Sequence, residues 1–98
     1  MQSIIQKDKT KCFLCGKNGC GDRLEEHHIF GGSNRKKSEK YGLKVYLCGN
    51  EHHRLGEYSV HKNADISNKL KEIAQFTAMM HYKWSVDDFR RIFGKSYI

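Results

Sequence analysis

Ninety-eight residues suffice for one domain and exclude a second independent core. Lysine and arginine outnumber the acids 18 to 11, a net +7 that favours a polyanionic partner, nucleic acid first among them. With 38% apolar residues, no run of about 18 apolar residues and no apolar leader in "MQSIIQKDKTK", the chain reads as cytosolic with no membrane partner.

In a reducing compartment, clustered thiols more often bind metal than form disulfides. "CFLC" sets Cys12 and Cys15 two residues apart ahead of Gly16, a spacing that grips one tetrahedral ion. No helical pattern starts at Cys12, which disfavours a redox motif. The other half of the clip is "CGNEH", so Cys12, Cys15, Cys48 and His52 make a closed structural zinc site. Cys20, in the turn "NGCGD", is an alternative fourth ligand to His52. Zinc affinity in such a site is folding free energy, on the order of 10 kcal/mol, and a small core leans on it.

"LEEHHIF" (Leu24 to Phe30) suits a first strand and carries two adjacent imidazoles, His27 and His28. "GGSNRKKSEKYG" then reads as a long, polar, basic surface loop whose Arg35, Lys36, Lys37 and Lys40 are candidate phosphate contacts. "KVYLCG" (Lys44 to Gly49) suits a second strand. From Asn63 to about His81, Ile66, Leu70, Ile73, Ala74, Thr77 and Met80 fall at helical spacing and predict one buried face. "SVDDFRRIF" opens a second helix with Ser85 as N-cap, Asp88 at the capping-box position and Gly94 at its end. Phe89, Ile92 and Phe93 form its apolar face, and Trp84 is expected to pack against the preceding helix. His81, alone on a helix, reads as structural or exposed. His27, His28, His53 and His61 then remain, enough for a second, open metal site with one imidazole to spare as a base.

"HHIFGG", "NRKKSEKYGL", "YLC" followed by "HH", "VH" with an asparagine soon after, and "IFG" before a tyrosine stand here in order. In this the chain resembles HNH endonucleases of the ββα-metal (His-Me finger) superfamily, small bacteriophage proteins in particular. The likeness runs from about Lys11 to Ile98. It implies an α+β fold: one domain over 1–98, with a zinc-stapled ββα-metal hairpin over 11–61 and C-terminal helices over 62–98. It implies metal-dependent hydrolysis of DNA phosphodiester bonds, with His27 a ligand of the catalytic ion and His28 the general base. His53 and His61 are then the other ligands, and the ion is Mg2+, Mn2+, Ni2+ or Zn2+. Phage packaging or recombination proteins in a bacterial host's cytoplasm are the partners it suggests. The alternative is a non-catalytic zinc-containing DNA- or protein-binding module on the same scaffold.

Adjacent residues of a regular strand point to opposite faces, so a bend near Gly31 and Gly32 is expected if both histidines serve one phosphate. "CGNEHH" is one residue longer than the family's commoner spacing, which leaves His52 and His53 interchangeable. The family's bracing asparagine has no match at "YGLKVYLC", with Asn34 and Asn50 as candidate substitutes.

Overall fold

The computed structural model describes residues 1–98 and is a small α+β arrangement, a two-stranded antiparallel sheet with helices. Strand β1 (Leu24–His28) pairs with β2 (Lys44–Cys48), so that Leu24 faces Cys48, His27 faces Val45 and His28 faces Lys44. The ladder continues one step beyond the strands, where the Ile29 N–H donates to the Leu43 carbonyl. Ile29 and Phe30 therefore leave the strand and enter the core.

The crossover over residues 29–43 is not the open loop that its polarity predicts. A 3-10 turn (Gly32–Asn34) runs into helix α1 (Arg35–Lys40). Lysine, arginine and glutamate are good helix formers, but only Ser38 of this helix is buried, so no apolar periodicity marks it. The Ser38 hydroxyl accepts from the Phe30 N–H and donates to the Leu43 carbonyl, bracing the two ends of the crossover. Neither candidate asparagine does this. The Asn34 side chain donates to the Phe93 carbonyl, and Asn50 uses backbone groups at the turn after β2. Gly42 links α1 to β2 at a φ of +72°, where a Cβ would meet the Gln2 carbonyl at 2.5 Å.

Beyond β2 the chain makes a wide π-helical turn (Gly49–Arg54), then reaches α2 (Ala64–Tyr82) and α3 (Val86–Phe93). Asn63 caps α2 by accepting the Asp65 and Ile66 N–H groups. Ser85 and Asp88 form the expected capping box of α3, and Gly94 ends that helix at a φ of +93°. The Lys37 ammonium and the Asn34 amide meet the last carbonyls of α3, at Ile92 and Phe93, tying the crossover to the C-terminal helix.

The buried face of α2 differs from the predicted one. Leu70, Ala74, Gln75 and Ala78 are buried, whereas Ile73 and Met80 are exposed. Apolar residues run most of the way round this helix, and the tail selects the arc. Gln75 donates to the Ser96 hydroxyl and accepts from the Tyr97 N–H, while the small Ala74 and Ala78 leave room for neighbouring side chains. Phe30 meets Phe93 and Tyr97 at 4.7 and 5.2 Å between ring centres, and Phe89 stacks on Phe93 at 4.6 Å. Trp84 stacks on Tyr82 of α2, as expected. The N-terminal arm runs along the outer edge of β2 and satisfies its backbone: Tyr46 N–H donates to the Gln6 amide, and Phe13 N–H donates to the Tyr46 carbonyl. No helix is long and apolar enough to cross a membrane.

Replacing Ser38 with alanine strands a buried Phe30 N–H. We expect a loss of about 1–3 kcal/mol in unfolding free energy, read as a lower urea midpoint with an unchanged slope. An unshifted midpoint contradicts the bracing role.

Candidate functional site

The π-helical turn carries His52 and His53 on consecutive positions, and their side chains diverge into two separate groups. Cys12, Cys15, Cys48 and His52 bring their donor atoms within 4.8 Å of one another. Cys15 and Cys48 sulfurs lie 3.5 Å apart, and Cys12 Sγ lies 3.5 Å from His52 Nδ1. A tetrahedral zinc, with bonds of about 2.3 Å to sulfur and about 2.0 Å to nitrogen, spaces its ligands by about 3.5–3.8 Å. The donor set fits that ion. It does not fit a disulfide, which needs about 2.05 Å, and all four cysteines are free thiols. Burial pushes the Cys48 thiol up to about 12, with the neighbouring Cys15 and Cys12 adding to it. Burial also opposes ionisation of Cys12, yet N–H groups of Cys48, Cys15 and Leu14 outweigh it and hold that thiol below its ordinary value. Cys20 is exposed and outside the group, so His52 is the fourth donor here.

The second group is His27, His53 and His61, again with donor atoms within 4.8 Å. Its rings come from three segments: β1, the π-helical turn and the short turn before α2. The ring centres lie 5.1 Å (His27 to His53), 5.9 Å (His27 to His61) and 4.9 Å (His53 to His61) apart. The Val60 N–H donates to the His52 carbonyl, which folds the loop back and sets His61 beside His53 despite their separation in sequence. Burial, then repulsion from His53 and His61, pushes His27 down to about 3. Burial also lowers His53 and His61. All three rings are thus kept in the neutral form that donates a lone pair to a metal. Glu25 accepts from His53 Nδ1 at 2.9 Å and is itself held by the Arg54 guanidinium, leaving His53 Nε2 for the group.

His28 takes the other face of β1. The strand does not bend between the two histidines, which pair in register with Val45 and Lys44. His28 Nε2 lies 2.9 Å from Glu39 Oε1 and 3.5 Å from Glu26 Oε1. Glu26, His28 and Glu39 also have the composition of a metal site. The ammonium of the buried Lys44 already sits among those carboxylates at 2.9–3.3 Å, so the cation of this group is the protein's own. The Met1 α-ammonium, His28 and Lys44 together hold the Glu39 carboxyl well below the usual carboxylate range. A further cluster, Asp22 with Cys48 and Glu51, is structural, since Asp22 accepts the Asn50 and Glu51 N–H groups and caps the π-helical turn.

Both faces reach one open cleft of about 380 Å³ because β1 ends at His28. His27, His28, His53 and His61 line it, with Arg35 and Lys71 at its rim. A larger cavity of about 950 Å³ lies between the N-terminal arm and β2 and holds none of these four histidines. Of the four basic residues singled out in the crossover, Arg35 alone lines the cleft. Lys37 is engaged by the Ile92 carbonyl, Lys40 lies over the Tyr41 ring, and Lys36 is exposed on α1. His81 is exposed, as expected.

Sequence reasoning missed Glu25, Glu39, Lys44 and Lys71. Strand alternation places Glu25 on the His27 face and Glu26 on the His28 face, a signal available in "LEEHH". Glu39 and Arg35 are four apart and share a side of α1, a signal lost once the segment is read as loop. No family model matches the chain, and no curated protein or solved structure is significantly similar to it.

Glu25 orients His53, and such outer partners are worth about 10–100-fold in metal affinity. We expect Glu25→Ala to weaken divalent-metal binding at the histidine group by that factor, in a titration with cobalt or nickel. Equal affinity in the variant removes Glu25 from this role.

Proposed function

We propose that this chain is a metal-dependent endonuclease of the HNH kind, hydrolysing DNA phosphodiester bonds with His28 as general base. The observation that carries the reading is the convergence of three neutral imidazoles from separate segments in the same cleft as an anchored fourth. The Cys12, Cys15, Cys48 and His52 group is the structural zinc site of this reading. Its donor spacing supports that assignment, and the staple joins the N-terminal knuckle to the end of β2, beside the β1–β2 hairpin that this reading takes as the ββα-metal hairpin. A non-catalytic zinc module explains this staple but not the second donor group beside it.

His27, His53 and His61 would hold the catalytic ion, Mg2+, Mn2+, Ni2+ or Zn2+. Bound there, it would supply positive charge to stabilise the negative charge that develops on the phosphate and the leaving group. The protein's own groups do the rest. His28 takes a proton from water as the water oxygen bonds to phosphorus. The bond from phosphorus to the 3′ oxygen breaks, that oxygen takes a proton from solvent water, and a 5′ phosphate and a 3′ hydroxyl are left. Arg35 and Lys71 supply charge at the rim for backbone phosphates, contacts that position the duplex without reading its sequence.

His28→Ala is expected to lower plasmid nicking by about 10²–10⁴-fold, the usual worth of a general base. Folding, metal content and DNA binding should stay close to wild type. Undiminished nicking overturns the assigned base. For the staple, Cys48→Ser or prolonged chelation is expected to remove one tightly held zinc and collapse the thermal transition followed by circular dichroism. A chain that keeps its melting point after losing all zinc is not stapled.

A further inference from the structure

The cleft residues leave one ionic network unexplained, built around a buried lysine with half-exposed carboxylates. Lys44 is a lysine that is only 6% exposed, on the strand residue paired with His28. Its ammonium binds both oxygens of Glu39, at 2.9 and 3.0 Å, and lies 3.3 Å from Glu26. Burying such a lysine costs several kcal/mol unless it is paired, and replacing such a group with apolar side chains is often neutral or stabilising. Core packing therefore does not require this network. Its geometry serves the ring at its end.

We propose that Glu39, clamped by Lys44, is the positioning residue of His28. Resting on the endonuclease reading, this assigns the proton-accepting atom. A neutral imidazole has one N–H and one lone pair. A carboxylate accepts only, so the 2.9 Å contact makes Nε2–H the donor to Glu39 and leaves the Nδ1 lone pair free. The Lys44 ammonium contacts both oxygens of Glu39, the Met1 α-ammonium holds Oε2 at 2.8 Å, and together they fix the direction in which Oε1 faces His28. Glu26 is the weaker partner, since its nearer oxygen stands 3.5 Å from Nε2 and it also accepts from the Tyr46 hydroxyl. The pairing of His28 with Lys44 places both ends of the network, and α1 delivers Glu39 between them. Glu39 touches neither phosphate nor water in this scheme and acts through the ring.

The test compares Glu39→Ala, Glu39→Asp and Lys44→Met with wild type in the zinc-replete protein, reading nitrogen-15 imidazole spectra and steady-state nicking. In wild type we expect His28 as a single Nε2–H tautomer with a downfield, slowly exchanging N–H proton. Glu39→Ala should lose that proton signal and lower kcat by about 10²-fold, with KM within about two-fold. Glu39→Asp should recover part of both, and Lys44→Met should keep the N–H but broaden it, with a smaller loss in kcat. A wild-type His28 with Nδ1 protonated overturns the proposal, as does a Glu39→Ala variant that keeps the N–H signal and full kcat. Wild type that nicks no DNA while showing the Nε2–H signal removes the endonuclease reading, and the catalytic role of Glu39 with it. Wild-type nicking with an unimpaired Glu39→Ala removes the Glu39 role alone.

Discussion

The pleat of β1 is the constraint on which the site depends. Five residues in register with β2 send Glu25 and His27 to one side and Glu26 and His28 to the other. Each histidine thereby receives its own carboxylate-bearing surroundings. Glu25 reaches the His53 ring that joins His27, and Glu26 lies beside the His28 ring. A slip of one residue in the pairing exchanges the two sets and ruins both. The register is held at one end by the close approach of Gly49 to Arg23, where a Cβ would meet the Arg23 carbonyl at 2.8 Å. At the other end Ser38 ties Phe30 to Leu43.

The π-helical turn performs the matching separation on the other strand. Its wider winding puts the Leu55 N–H on the Asn50 carbonyl, five residues back, and lets His52 and His53 leave toward different groups. The Cys-His group and the three-histidine group thus share a backbone segment while keeping separate donors. Any ion that closes the first also fixes the backbone that presents His53. Folding and site assembly are coupled through that one turn.

The helical half was legible where local chemistry decides it. Ser85, Asp88 and Gly94 announce the ends of α3, because caps need particular side chains at particular positions. Helix α1 was not legible, since a helix exposed on nearly every side carries no apolar period. The buried arc of α2 depends on Gln75 meeting Ser96 and Tyr97, a contact far in sequence and polar in kind. In the site, donor types and spacing picked out the Cys12, Cys15, Cys48 and His52 group with Cys20 as the odd thiol, while the trio of His27, His53 and His61 was singled out through the family resemblance. Spacing alone did not separate His52 from His53, because the winding of the turn decides it. Glu39 and Lys44 escaped for a related reason: their meeting with His28 is made by the crossover and the register.

The two faces answer opposite electrostatic demands. A metal-ligating imidazole must offer a lone pair, and burial among other rings and near Lys71 keeps His27 neutral. A ring that accepts a proton needs negative charge close by and a fixed direction for its free nitrogen. Glu39 and Glu26 provide the charge, and Lys44 prevents them from folding away into solvent. Within a single dielectric pocket these demands conflict, because carboxylates that welcome a proton on one ring also welcome it on its neighbours. The strand resolves the conflict by geometry, with a backbone between the two histidines and both side chains lining the cleft. Adjacent identical residues thereby receive different partners, a ring cluster for His27 and carboxylates for His28.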